Sequence, residues 1–175
     1  MVIGNPLNFS IIIKAIKEWK NDNTNFFNGI LMFSLNGVII PNEIVVATLS
    51  REVWLLRDQL SHIGEQKDLF RLPKEMAFIE IYRLLHSGDA EWQDSQRFDL
   101  TPDSLADQNY YVYAVKDGEM IRILASNKLP YDKEQGQPNF ETLQVQDVYI
   151  SEKEIMEYRE KMAGDLISFL SSTLD

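Results

Sequence analysis

The sequence predicts one α+β domain over residues 1–175, with a mainly antiparallel sheet covered on one face by about three helices, the last of them C-terminal. Paired apolar runs flank Asn36-Gly37, and a second pair flanks Asp117-Gly118, which predicts two β-hairpins. Other stretches repeat apolar residues at helical spacing. A chain of 175 residues is also the size at which one hydrophobic core suffices.

Strands dominate the beginning of the chain. Residues 9–19 alternate between two faces rich in isoleucine, which predicts a strand with one buried face. Residues 29–35 and 38–40 are the predicted arms of the first hairpin, because both central residues of its tight turn need a positive φ that Asn and Gly tolerate. Residues 44–49 add one short predicted strand.

Two helices are predicted next. Ser50 is placed as the N-cap of the first, and Gly64 is placed at its C-terminal end. Pro73 begins the second, which is predicted over residues 74–86. A further short helix is expected after Pro102, within a polar and acidic segment.

The second half of the chain repeats the hairpin pattern and ends in a helix. Residues 110–116 and 119–125 are the predicted arms of the second hairpin, and residues 142–150 form a final strand. Ser151 and Glu154 have the spacing of a capping box, in which each side chain satisfies a free backbone N–H at a helix start. The C-terminal helix is therefore predicted to begin here.

Charge and cysteine content exclude several function classes. There are no cysteines, so disulfides, thiol catalysis and cysteine-ligated metals are excluded. The net charge of −10 argues against nucleic acid and anionic membranes as partners, and favours either a basic partner or simple solubility. Residues 1–74 hold 8 basic and 7 acidic residues, whereas residues 75–175 hold 9 and 20. The acidic excess thus lies in the second part of the chain.

The sequence shows no signal-peptide pattern at its start, and its longest apolar runs are far shorter than a membrane span. We therefore expect a cytoplasmic protein, acting as a monomer or weak dimer.

Catalytic signatures are missing from the sequence. The two histidines, His62 and His86, lie near predicted helix ends, where a structural role is favoured over catalysis. No zinc-binding spacing, nucleophile elbow or glycine-rich phosphate loop occurs. Asp99 and Asp103 are spaced carboxylates, but a calcium loop would also need a central glycine and a closing glutamate. We expect no cofactor, no metal and no enzymatic activity, with carboxylate-based catalysis as the open alternative.

Three tyrosines cluster in one predicted strand. Tyr111 and Tyr113 point to one face of the sheet and Tyr110 points to the other, because side chains alternate along a strand. The favoured interpretation is that one of these faces fills the core and the other is a half-exposed face of the sheet. The alternative is a recognition face, since tyrosine is common in binding hot spots.

Short motifs near both ends of the chain occur in a distinctive order. They are Ile3-Gly4-Asn5-Pro6 followed by Phe9, then Glu18-Trp19, Asn28-Gly29, Asn36-Gly37 and Ala47-Thr48-Leu49, and the closing strand that runs into the helix start at residues 148–155. In these features the chain resembles the immunity protein 42 family, whose members are small bacterial proteins associated with polymorphic and contact-dependent toxin systems. The resemblance implies an antidote that binds the toxin domain of its own locus, a nuclease being one such toxin. An adaptor or chaperone-like module for another basic protein is the alternative.

Residues 88–107 are the predicted toxin-binding segment. The segment contains six acids, one base (Arg97) and a tryptophan, and an aromatic anchor with a charged rim is typical of protein interfaces. The predicted contact residues are Asp89, Glu91, Trp92, Asp94, Asp99, Asp103 and Asp107. The alternative is a solvated loop in which Trp92 packs on the core. If this segment is not the interface, the acidic C-terminal helix is the next candidate.

Overall fold

A computed structural model describes residues 1–19, 27–86 and 96–172, with side chains described as far as residue 163. Within these ranges the strands are β1 (Val2–Gly4), β2 (Phe9–Ala15), β3 (Asn28–Leu35), β4 (Val38–Ile40), β5 (Ala47–Thr48), β6 (Val112–Asp117), β7 (Met120–Ser126), β8 (Tyr131–Asp132), β9 (Gln137–Pro138) and β10 (Val145–Ser151). The α-helices in the same ranges are α1 (Leu49–Gln59), α2 (Lys67–Arg71), α3 (Lys74–His86), α4 (Asp103–Ala106) and α5 (Glu152–Ser172).

The first sheet is antiparallel and has the order β1-β2-β3-β4, with β5 also paired to β3. Its hairpin turn is confirmed, because Asn36 and Gly37 have φ values of 51° and 81°. Positive φ at both central residues is the property of a type I′ turn. Strand β2 stops at Ala15, and a 3₁₀ turn at Lys17–Trp19 takes the place of the last predicted strand residues.

The second sheet is also antiparallel, in the order β10-β7-β6. Asp117 pairs with Met120, so Gly118 and Glu119 are the central residues of the turn. The hairpin is confirmed, but the predicted turn pair was shifted by one residue. Gly118 alone of the two has a positive φ, of 62°, because glycine occupies the first central position of this turn.

The α+β class, the antiparallel pairing and the C-terminal helix are confirmed, but the strands form two main sheets instead of one. Phe9 and Phe33 of the first sheet and Ile123 of the second belong to one buried cluster, which α1 and α5 complete. The opposite face of the second sheet, including Tyr113, packs with Phe78 of α3 in another cluster. Each hairpin has an apolar face to bury, and packing the sheets together buries both.

Helix α3 has the predicted bounds, whereas both predicted ends of α1 were wrong. Helix α1 begins at Leu49 behind Thr48, whose N–H donates to Glu52 Oε1 (2.9 Å), so Ser50 is not the cap. The helix ends at Gln59, well before Gly64. Gly64 instead donates its N–H to the Arg97 carbonyl (3.0 Å), and a Cβ there would lie 2.5 Å from Arg97 Cγ. Gly64 is therefore required because the backbone and side chain of Arg97 lie too close to leave room for a Cβ.

The later helices follow the sequence pattern. Helix α4 begins directly after Pro102, as expected. The capping box of α5 is confirmed: Ser151 N–H donates to Glu154 Oε2 (3.1 Å), and Glu154 N–H donates to Ser151 Oγ (3.3 Å). Helix α2 was not predicted, and neither was the small β8–β9 hairpin, which lies in a segment expected to be irregular.

Candidate functional site

An open cleft of about 860 Å³ lies between the segment at residues 43–46 and helix α4. The segment joins β4 to β5, and α4 is the short helix predicted after Pro102. The N-terminal turn of α1 contributes Arg51 and Glu52 to the same cleft. We call this site the α4 cleft.

The floor of the α4 cleft is a buried carboxylate. Glu52 is only 5% exposed. Its Oε2 accepts a hydrogen bond from Ser104 Oγ (2.6 Å), and its Oε1 accepts one from the Thr48 N–H (2.9 Å). The carboxylate therefore joins the start of α1 to α4, and both of its oxygens are occupied.

Two exposed acids lie on the α4 side of the cleft. Asp103 forms a salt bridge with Arg51 (3.0 Å) in which both side chains are more than half exposed. Such a surface pair contributes little to stability, because water screens the charges and both side chains lose freedom. Asp107 is exposed, and among the described residues no cationic group lies within salt-bridge distance of its carboxylate.

Exposed apolar side chains form the other side. Ile44 is 71% exposed and Val46 is 55% exposed, whereas the alternate residues Val45 and Ala47 are buried. The segment thus directs one apolar face into the core and a second into solvent. Exposed apolar patches rimmed by polar residues mark many protein interaction sites, and these two side chains line a cleft that also contains acidic residues.

Polar contacts hold the N-terminal end of this apolar segment, at Asn42 and Glu43. Glu43 accepts hydrogen bonds from Lys128 Nζ (2.6 Å) and from the Tyr110 hydroxyl (3.3 Å). The hydrogen bond from Lys128 is the main cause that lowers the pKa of the Glu43 carboxyl. Asn42 Oδ1 also lies within hydrogen-bond distance of the Tyr110 hydroxyl, so the single proton of this hydroxyl is shared between the two acceptors. These contacts join the segment to Tyr110, just before β6, and to Lys128, just after β7.

The structure places only some of the sequence-predicted interface residues in the α4 cleft. Asp103 and Asp107 line the α4 cleft together. Asp99 lies apart from it, where its Oδ1 accepts a hydrogen bond from the Thr101 N–H (2.9 Å). Burial raises the pKa of the Asp99 carboxyl. The four remaining contact residues lie outside the described residues: Asp89, Glu91, Trp92 and Asp94.

The tyrosine cluster has the predicted alternation. Tyr110 belongs to the core between the two sheets, and Tyr111 and Tyr113 belong to the cluster on the α3 side. All three side chains are at least nine-tenths buried, so both faces pack in a core and the expectation of one half-exposed face was wrong. Burial raises the pKa of each of the three phenols.

Both histidines contact carbonyl groups at helix ends. His86 Nδ1 lies 2.7 Å from the Tyr82 carbonyl oxygen in the last turn of α3, and its ring stacks on Tyr82 at a centroid distance of 4.0 Å. His62 Nδ1 lies 3.0 Å from the Asp58 carbonyl oxygen, just beyond α1. Neither residue lines the α4 cleft.

Residues 1–163 match the sequence model of the family described as immunity protein 42. The chain belongs to the immunity protein 42 family. The match includes the middle of the chain, where the sequence features had given no resemblance. An immunity role follows from membership of this family.

A solved structure shows the same fold. The crystal structure of CdiI from Burkholderia dolosa AUO158 superposes with a TM-score of 0.66 at 20% sequence identity, covering 94% of this chain and 99% of that one. At this identity the likeness concerns the fold alone. No curated protein matches the chain.

The described parts of this immunity protein 42 family member contain no candidate metal-binding cluster and no candidate membrane-spanning helix. Over residues 1–19, 27–86 and 96–163, whose side chains the structure describes, no group of three or more histidine, aspartate and glutamate side chains is placed to hold a metal ion. None of the described helices is long and apolar enough to cross a membrane.

The apolar side of the α4 cleft was missed by the sequence-based interface prediction. The sequence predicts a strand over residues 44–49, but only Ala47–Thr48 pairs as one. The available signal was a run in which successive residues are all apolar, so that one alternate set (Ile44, Val46) must lie outside the core if the other set is buried. Which set is buried depends on contacts with distant parts of the chain.

Proposed function

We propose that this chain is the antidote of a contact-dependent or other polymorphic toxin system, and that it neutralises a cognate toxin domain by binding it. The match of residues 1–163 to the immunity protein 42 family carries this proposal. The shared fold with CdiI from Burkholderia dolosa AUO158 supports it. In this proposal the protein inhibits by occupying the active site of the toxin or its path to substrate.

The toxin domain is proposed to be basic. The antidote has a net charge of −10, and the acidic excess lies in residues 75–175. Opposite charge accelerates the encounter of two proteins and disfavours wrong partners. A nuclease fits this requirement, because its substrate groove must attract phosphates.

Further parts of the proposal concern how the antidote acts. Residues 1–175 form one domain that works in the cytoplasm as a monomer or weak dimer. It binds protein, and neither nucleic acid nor membranes, and it catalyses no reaction. The net negative charge supports this choice of partner, because nucleic acids and anionic lipid surfaces repel a negatively charged protein.

Coexpression tests the proposal directly. The C-terminal domain of the toxin encoded beside this gene is expressed with and without the antidote, and surviving cells are counted. We expect survival only when the antidote is present. Titration calorimetry with an inactive form of the same toxin domain should give a complex of about 1:1 and a Kd in the nanomolar range or below, as in dedicated inhibitors. Absence of protection, or a Kd above about 1 μM, contradicts an immunity function.

A further inference from the structure

We infer that the α4 cleft is the docking surface for the toxin, and that it takes a cationic segment carrying an aliphatic or aromatic side chain. This inference rests on the proposed immunity function and names the surface that performs it. The occupant is identified by two properties of the cleft: an exposed apolar side at Ile44 and Val46, and exposed acids at Asp103 and Asp107.

The apolar side provides the anchor. Ile44 and Val46 together place two aliphatic side chains in solvent, and a partner that covers them removes this apolar surface from water. Because both residues line the same cleft as α4, a partner segment that enters the cleft meets the apolar segment and α4 together. Buried anchors of this kind dominate the energy of protein interfaces.

The acids select a cation. Four carboxylates line the cleft against one guanidinium, that of Arg51. Asp107 has no cationic partner among the described residues, and the partner of Asp103 is the exposed Arg51. A lysine or arginine of the toxin can therefore pair with Asp107 directly and compete with Arg51 for Asp103. The rim supplies charge complementarity, which governs association rate and specificity.

The cleft is organised before binding. Glu52 connects α1 to α4 through Ser104, and Glu43 connects the apolar segment to Lys128. Strand β5 pairs with β3 directly after the exposed Val46. Because these contacts exist in the free protein, little conformational entropy is lost when a partner docks.

Two matched double variants test the inference. Asp103 and Asp107 are both changed to lysine in the first, and Glu157 and Glu160, exposed acids of α5, are both changed to lysine in the second. The change in net charge is identical. Association and dissociation rates with the inactive toxin domain are measured by surface plasmon resonance at low and high salt.

We expect the cleft variant to associate at least about tenfold more slowly at low salt, and the α5 variant to stay within about threefold of the wild type. Ile44→Ala combined with Val46→Ala should mainly accelerate dissociation, by about tenfold or more, while Leu7→Ala, at an 80% exposed aliphatic residue outside the cleft, should not. Circular dichroism establishes that each variant is folded. All changed side chains are exposed, so folding should persist.

The possible failures are distinguishable. If the wild type binds and protects while the cleft variants bind equally well, the docking surface is wrong and the immunity function stands. The same conclusion follows if the α5 variant loses binding and the cleft variant does not. If the wild type itself neither binds nor protects, the immunity function fails, and the docking inference fails with it.

Discussion

Ser104 donates a 2.6 Å hydrogen bond to Glu52, a buried carboxylate that joins helix α4 to the start of helix α1. The two residues are 52 positions apart in sequence. The bond joins α4, which begins at Asp103, to α1, the helix that follows the apolar segment and β5. This contact therefore contributes both to the stability of the fold and to the surface that is proposed to bind the toxin.

Ser104→Ala should destabilise the protein by about 1–3 kcal/mol, because it leaves one oxygen of the buried Glu52 carboxylate without a donor. Urea unfolding followed by circular dichroism measures the loss. Ser61→Ala is the control, since its hydroxyl donates to the Asp58 carbonyl in an exposed turn, and it should cost less than about 0.5 kcal/mol. If both variants lose the same unfolding free energy, burial of Glu52 does not determine the cost of losing the Ser104 hydroxyl.

Arg122→Ala should be far more destabilising than Arg71→Ala. The Arg122 side chain is 4% exposed, and it binds Asp147 (2.9 Å) and the carbonyl oxygens of Phe70 (2.8 Å) and Leu72 (2.7 Å). Its loss leaves a carboxylate and two carbonyl groups without this donor, at a cost of about 3–5 kcal/mol.

Arg71 is the matched control, because it also pairs with an aspartate, Asp117 (3.3 Å), while its own side chain is 70% exposed. Its loss should cost less than about 1 kcal/mol. Chemical denaturation of the two variants provides the comparison. Similar costs would show that the link between Arg122 and the α2–α3 connection is not what holds these helices to the second sheet.

Several local signals in the sequence identified local structure correctly, although those chosen for the two ends of α1 did not. The turn at Asn36-Gly37 and the box of Ser151 and Glu154 depend on residues within four positions of one another, so their chemistry is readable from the sequence. Helix α3 has its predicted bounds at Lys74–His86 for the same reason, with a proline before its first residue.

Contacts between residues that are far apart in sequence could not be predicted from these local signals. The pairing of β7 with β10 and the division into two sheets depend on which apolar faces meet, and many arrangements satisfy one pattern of alternation. The α4 cleft is of this kind, because α4 was predicted while its position opposite Ile44 was not. Asp99 and Asp103 are close in sequence, yet only Asp103 reaches the cleft.

Ser151→Ala should destabilise α5 by about 1 kcal/mol at pH 7 and by less in acid. Hydrogen bonds from Ser151 lower the pKa of the Glu154 carboxyl below its ordinary value of 4.5. A carboxyl with a lowered folded-state pKa contributes stability above its unfolded-state pKa, and this contribution disappears as the pH falls through the folded-state pKa. The wild type should therefore lose more stability than the variant as the pH falls from neutrality to below 4.5.

Urea unfolding at a series of pH values measures this effect, with Glu157→Gln, at an exposed acid of the same helix, as the control. The control should keep the pH dependence of the wild type almost unchanged. A constant difference between the wild type and Ser151→Ala at all pH values would show that the capping box is not coupled to ionisation of Glu154.

Replacing His62 and His86 together by glutamine should leave protection against the toxin within about threefold of the wild type, because both imidazoles contact helix carbonyl groups away from the α4 cleft. Some stability should be lost through the stacking of His86 on Tyr82. Cell survival in the coexpression assay and a thermal melt of the double variant separate the two effects. Lost protection in a folded double variant would point to catalysis by a histidine.

Changing Asp89, Glu91 and Asp94 together to lysine should slow association with the toxin and weaken its dependence on salt, because the sequence places these acids in the predicted interface segment that continues into Asp107. Trp92→Ala should instead accelerate dissociation, as the loss of an aromatic anchor does. Rates are measured by surface plasmon resonance at low and high salt, after circular dichroism has established folding. If the triple variant associates like the wild type at both salt concentrations while reversal of Asp107 slows binding, the interface includes the α4 cleft and excludes these three acids.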